Sequence, residues 1–360
     1  MKLLNLFPKA SKTTGVQHRD KSKILVLMAF VVISTQIGQD FKINPAHAAN
    51  DMIPNEVDRN TVTEPLLLHS FVAHTGIVKS LIFSPNGKML VSGGGENEGK
   101  ISFWNLQTGK NIGNIARAHS AAVESIAMSP DNQTFVSAGS DNRINLWNLK
   151  NLEFSRSFVG HTSQVLSLVV TPDSKILISG GLDGIRLWDL RQQRPLATLV
   201  RFDNIIYTLA ISPDGKTLAS GDYKGVIKLW NLRSGKLIQQ LKGHSQIVTS
   251  LAFTPNGEKL VSGSRDSTIK VWNINTGKGV LTLKGHNSWV NAIAINADGK
   301  TLASGGRDGI KLWDLTTGKL QKSLELSSDW VTAIVFSPDG KTLASGGFDR
   351  KINIWKLGKD

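Results

Sequence analysis

Cysteine is absent from this chain, so the side chains that could do acid–base or nucleophilic chemistry are its serines, its carboxylates and eight histidines. That absence excludes disulfides, thiolate nucleophiles and Cys-ligated zinc in one step. No G-x-S-x-G elbow announces an activated serine. No G-x-x-x-x-G-K-S/T run cradles a phosphate, because the Gly-Lys-Thr segments occur inside turns. Examples are Ser212-Pro-Asp-Gly-Lys-Thr217 and Ser337-Pro-Asp-Gly-Lys-Thr342, with Asn296-Ala-Asp-Gly-Lys-Thr301 as an altered copy. Five histidines recur in phase with a repeat; His18 and His47 fall in the first 48 residues and His69 precedes the first full repeat. No carboxylate pair or metal-ligand cluster stands outside that repeat, so no metal and no cofactor is expected.

The elements that position these side chains are set by seven tryptophans: Trp104, Trp147, Trp188, Trp230, Trp272, Trp313 and Trp355. They are separated by 43, 41, 42, 42, 41 and 42 residues. A period of about 40–45 residues is the signature of a propeller built from four-stranded blades. The unit Gly243–Leu283 shows how one blade is encoded. Val248–Phe253, Lys259–Gly263, Thr268–Trp272 and Val280–Leu283 are short β-rich runs, separated by turn sequences of hairpin length. Both faces of a blade pack on neighbours, which explains why these runs are more apolar than a half-exposed sheet requires.

After Trp355 only five residues remain, too few for a fourth strand in the last blade. The missing strand is expected at the other end, where His69-Ser-Phe-Val-Ala-His74 matches Arg156-Ser-Phe-Val-Gly-His161. Residues 66–72 are therefore predicted to pair with the strand containing Trp355 and complete that blade. Such closure removes an open sheet edge.

With these motifs in phase, the chain resembles the WD40-repeat family across residues 66–357, in a bacterial-type, seven-bladed form. The Gly-His pairs are Gly160-His161, Gly243-His244 and Gly285-His286, with Ala73-His74 and Ala118-His119 as variants. Trp188-Asp189 and Trp313-Asp314 are the Trp-Asp pairs. The resemblance implies an all-β, seven-bladed WD40 β-propeller, each blade held by a chain from Trp through Ser and His to Asp. The complete sets it implies are Trp147-Ser137-His119-Asp141, Trp188-Ser179-His161-Asp183, Trp272-Ser262-His244-Asp266 and Trp313-Ser304-His286-Asp308. A serine hydrolase uses the same groups. It needs one activated serine in a cleft, whereas here the set recurs in four blades, so the structural role is expected. Three repeats depart from the pattern, with Glu98 after a lengthened loop in repeat 1, Phe202 and Lys224 in repeat 4, and Ser327 in repeat 7. The set is not carried over to them.

Two positions per repeat would share one face of the ring. The first, three residues after the histidine, reads Ile77, Ala122, Gln164, Ile205, Ile247, Trp289 and Trp330. The second, before the tight-turn Asp, reads Ser140, Leu182, Tyr223, Arg265, Arg307 and Phe348 in repeats 2–7. Trp, Tyr and Arg dominate binding hot spots. The expected partner site is thus Trp289, Trp330, Tyr223, Arg265, Arg307, Phe348, Ile205, Ile247 and Leu182, taking a protein or peptide. A non-enzymatic interaction scaffold, acting as a monomer, is the function expected. The alternatives are electrostatic docking of an exported propeller on an anionic membrane through the lysine-bearing turns of the opposite face, and an enzyme with its site at the channel mouth. Nucleic acid is not an expected partner, since those lysines lack interleaved exposed aromatics.

The formal charge is +14, but seven basic and two acidic residues lie in residues 1–48, leaving 35 and 26, or +9, for the rest. In residues 1–48 a basic leader precedes ten apolar residues, Ile24–Ile33, and Ala46-His47-Ala48 follows. Those three parts read as a signal peptide cleaved after Ala48. Residues 49–65 then read as a linker and the chain as exported, periplasmic or secreted.

Overall fold

The computed structural model describes residues 64–96, 98–201, 205–324 and 330–358. Among them 28 strands, from β1 (Leu66–Val72) to β28 (Lys351–Lys356), form seven antiparallel four-stranded sheets and no helix.

The fifth blade shows why each strand ends where it does. Its strands are β18 (Val248–Phe253), β19 (Lys259–Ser264), β20 (Thr268–Asn273) and β21 (Gly279–Lys284). Between the first two, Thr254 Oγ1 donates to Asn256 Oδ1 at 2.7 Å and accepts from the Lys259 N–H at 3.1 Å. Gly257 follows at φ +72°, a conformation that costs glycine little. After β20, Asn273 Oδ1 accepts from the Thr276 N–H at 2.9 Å. Side chains of Thr and Asn thus replace ladder partners and stop the strands.

In every blade the ladder between the first and second strands slips by one residue, just after the Val or Ile that opens the first strand. The residues left outside the ladder are Lys79, Glu124, Leu166, Tyr207, Thr249, Asn291 and Thr332. A bulge of this kind re-aims one side chain and increases the local twist. First strands of successive blades contact one another around the ring.

The core lies between blades. Ile144, Leu146 and Phe158 of the second blade pack with Val165, Leu177 and Trp188 of the third. Equivalent clusters join every neighbouring pair, including Val78, Leu90 and Trp104 of the first blade with Ala344, Ile352 and Ile354 of the last. Close approach needs glycine in the second strand: a Cβ on Gly263 would lie 2.9 Å from Val290 Cγ1, and one on Gly346 2.6 Å from Val78 Cγ1. Each fully buried Val, Leu or Phe contributes about 1.5–3 kcal/mol.

The ring closes as its sequence requires. The last sheet has the order β1–β28–β27–β26, where β26 is Val331–Phe336 and β27 is Thr342–Gly347. Leu66 pairs with Lys356, Leu67 with Trp355 and Val72 with Lys351. Phe71 packs its ring on Trp104 of the first blade, 4.6 Å between centroids. The strand that finishes one blade therefore also grips the next.

Candidate functional site

The histidines, serines and carboxylates of four blades meet in one repeated geometry. Trp188 Nε1 donates to Ser179 Oγ at 2.8 Å, Ser179 Oγ lies 2.7 Å from His161 Nε2, and His161 Nδ1 lies 2.5 Å from Asp183 Oδ1. The sets Trp147–Ser137–His119–Asp141, Trp272–Ser262–His244–Asp266 and Trp313–Ser304–His286–Asp308 have the same links within 2.6–2.9 Å. These partners assign the tautomer: Nδ1–H donates to the carboxylate, and Nε2 accepts from a serine that itself accepts from the indole. All four serines are 0% exposed, so no substrate reaches them.

Electrostatics follow from burial and pairing. Burial holds His161 and His286 below the usual histidine range, outweighing the opposing pull of Asp183 and Asp308. Burial alone would raise Asp183, yet hydrogen bonds from His161, the Thr162 N–H and Arg186 win, and its carboxyl titrates below the ordinary range. Asp141, Asp266 and Asp308 shift the same way, for the same balance of causes. His161 and His286 are therefore neutral, and the four carboxylates ionised, near neutral pH.

The departing repeats behave differently from one another. Repeat 1 corrects the expectation that it lacks the set. Trp104 donates to Ser92, Ser92 Oγ lies 2.8 Å from His74 Nε2, and His74 Nδ1 lies 3.0 Å from Glu98 Oε2. Glu98 thus takes the acid's place at the end of a loop two residues longer than in the other repeats. In repeat 4, Lys224 cannot replace the carboxylate, but buried Asp222 two residues earlier accepts from the Lys224 and Val226 N–H groups, both at 2.9 Å. Phe202 and Ser327 lie outside the described residues. In the seventh blade, Ser345 Oγ and Trp355 Nε1 are buried without a hydrogen-bond partner among the described residues.

On the rim, the two positions of several repeats are tied by backbone. The N–H groups of Leu182, Tyr223, Arg265 and Phe348 donate to the carbonyls of Gln164, Ile205, Ile247 and Trp330, at 3.0–3.2 Å. In the later blades the side chains join across blade boundaries. Arg265 Cζ lies 4.4 Å from the Trp289 ring centroid. Trp289 meets Trp330 edge to face at 4.9 Å, and Trp330 meets Phe348 at 6.1 Å. Tyr223 stands beside the Lys224 ammonium, 5.7 Å from its ring. Tyr223, Trp289 and Phe348 are 43%, 37% and 45% exposed, so the arc is open to a partner. Arg307 is exposed nearby in sequence but joins none of these ring contacts, and Ile205, Ile247 and Leu182 are half-buried beside the arc.

Tyr207 belongs to the arc and was not among the expected residues: the Arg265 guanidinium lies 5.8 Å from its ring. It is the bulge residue of the first strand in the fourth blade, and a regular period-two reading assigns it the wrong neighbours. The signal available in the sequence is its place directly after the Ile that opens the strand.

A closed ring of seven four-stranded sheets with a Trp–Ser–His–acid chain inside its blades defines a WD40-type propeller. Comparison with known proteins agrees. The family described as WD domain, G-beta repeat matches residues 66–105, 109–148 and 152–189, and the IFT122 first beta-propeller family matches residues 205–360. The chain belongs to the WD40-repeat β-propellers. Among curated relatives it is 30% identical over 142 residues to Cell division cycle 20.6, cofactor of APC complex, from Arabidopsis thaliana, covering 38% of this chain and 33% of that protein. It is 33% identical over 139 residues to Anaphase-promoting complex subunit cdc20 from Dictyostelium discoideum, covering 38% and 28%. It is 31% identical over 117 residues to Anaphase-promoting complex subunit cdh1 from the same organism, covering 32% and 16%. The matches thus span a third or less of the length of these relatives.

These relatives overturn the expectation of export. They carry the names of cell-division proteins and of subunits or cofactors of a complex, which point away from a secreted or periplasmic chain. The basic leader, the apolar run and Ala46-His47-Ala48 lie outside the described residues. Fifteen residues separate that run from the cut expected after Ala48, a wide spacing for a signal peptide.

Proposed function

We propose that the chain is a non-enzymatic interaction scaffold that binds a protein or peptide on the rim of its fourth to seventh blades. One observation carries this reading: Tyr207, Arg265, Trp289, Trp330 and Phe348 form an unbroken run of ring contacts across four blades, with three of the rim's aromatics exposed. Clustered exposed aromatics and arginine are what a hot spot needs. The blades hold these groups in place beforehand, so little side-chain freedom is lost on binding. The names of the relatives, subunits and cofactors of a complex, support a protein partner.

The opposite face supports membrane docking less well. Lys175 and Lys216 sit 3.1 and 3.5 Å from Asp173 and Asp214 of their own turns, which offsets their charge. Affinity capture with the full chain, beside a Trp289→Ala/Trp330→Ala variant, tests the rim. Partners recovered by the first and lost by the second are expected. Equal recovery by both would end the proposal.

A further inference from the structure

The rim of the fourth to sixth blades carries cations that are unpaired among the described residues. Lys224, Arg265 and Arg307 lie along the fourth, fifth and sixth blades, and none has an ion-pair partner among the described residues. The carboxylates nearest in sequence are turned inward. Asp222 caps its turn, Asp266 binds His244 and Thr268, and Asp308 binds His286 and lies 3.4 Å from Lys311 Nζ. Arg265 stands half-buried between the rings of Tyr207 and Trp289.

We infer that the rim's partner is an acidic peptide segment, whose carboxylates meet Arg265 and Arg307 while an apolar side chain lies on Trp289, Trp330 and Phe348. This deepens the reading of the rim as a protein-binding site and rests on it. A carboxylate matches the guanidinium fork in charge and geometry. On the other face, Lys175 and Lys216 pair with carboxylates of their own turns.

Three labelled peptides, acetylated and amidated, separate charge from apolar contact: Glu-Glu-Phe-Glu-Glu, Gln-Gln-Phe-Gln-Gln and Lys-Lys-Phe-Lys-Lys. Each is titrated with the full chain by fluorescence anisotropy. The acidic peptide is expected to bind about tenfold or more tighter than the glutamine peptide, a ratio of about 1.4 kcal/mol. Raising salt to about 0.5 M should shrink that gap, because exposed charges are then screened. Arg265→Gln/Arg307→Gln should bring the acidic peptide down to the glutamine level, while Arg265→Lys keeps the salt dependence and loses only part of the affinity. Unchanged denaturation midpoints show that these rim variants fold. Equal binding of the acidic and glutamine peptides, abolished by Trp289→Ala/Trp330→Ala, overturns the acidic partner and leaves the rim reading standing. Binding of none of the three, or binding that the tryptophan variant does not weaken, overturns both. Displacement of the acidic peptide from the arc by a single-stranded oligonucleotide or by anionic vesicles also overturns it.

Discussion

The third and seventh blades have the same four-strand order and differ in what fills their interior. In the third, Trp188, Ser179, His161 and Asp183 each find their partners, and Arg186 donates to the carboxylate at 3.1 Å while its buried Nε has no partner among the described residues. In the seventh, the matching indole and hydroxyl of Trp355 and Ser345 are buried and unpaired among the described residues. The seventh blade instead gains its outer strand from the far end of the chain, together with the packing of Phe71 on Trp104. One blade is held by its internal polar chain, the other by closure of the ring. The aromatic arc ends on the second kind, at Trp330 and Phe348, and its other end, Tyr207, lies in the fourth blade, whose carboxylate is displaced.

The contrast can be broken most severely at the closing strand. Deleting residues 66–72 strips the hydrogen-bonding edge of β28 and uncovers Trp104, so the whole ring is expected to lose cooperative unfolding, seen as a broad or missing thermal transition. A sharp transition near that of the intact chain would show that the seventh blade stands without its clasp. Next in size, His161→Ala leaves Ser179 and Asp183 buried without their shared partner and should cost about 2–5 kcal/mol. Ser345→Ala removes a hydroxyl that has no partner among the described residues, and by the same reasoning should change stability by less than about 1 kcal/mol in either direction. Urea unfolding of the two variants side by side decides whether the two interiors differ as described.

Acid sharpens the same comparison with the smallest effect. His161 and His286 have depressed values in the folded chain, so the unfolded chain takes up more protons as pH falls. Their stabilisation is fully present above the ordinary histidine value of about 6.5 and is lost progressively below it. The depressed carboxylates, Asp141, Asp183, Asp266 and Asp308, act with the same sign but only from the ordinary aspartate range of about 3.9 downward. Unfolding free energy measured between about pH 7.5 and 5 should therefore decline, and His161→Gln should flatten part of that decline. A slope unchanged by the variant would remove the histidine from the explanation.

The architecture was legible because it is periodic. Seven tryptophans at nearly equal spacing fix the number of sheets, and the likeness of residues 69–74 to 156–161 gives away the closing strand. Repeat 1 was harder: its inserted loop breaks the count between His74 and the acid, and only coordinates show Glu98 arriving where an aspartate would stand. The rim was legible as a set of positions but not as a set of contacts. Arg265 meets Tyr207 on one side and Trp289 on the other because neighbouring blades lean together, and no local pattern records that inclination. Tyr207 also hides behind the slipped ladder of its own strand.

Pairing of Leu66 with Lys356 brings the two ends of the propeller within one cross-strand spacing, about 5 Å. The seam's place is thus set by which turn of the ring the chain leaves open. A circular permutant that joins residue 358 to residue 64 and opens new ends in an exposed turn, such as that before Gly318, would inherit all seven sheets with a different one sewn shut last.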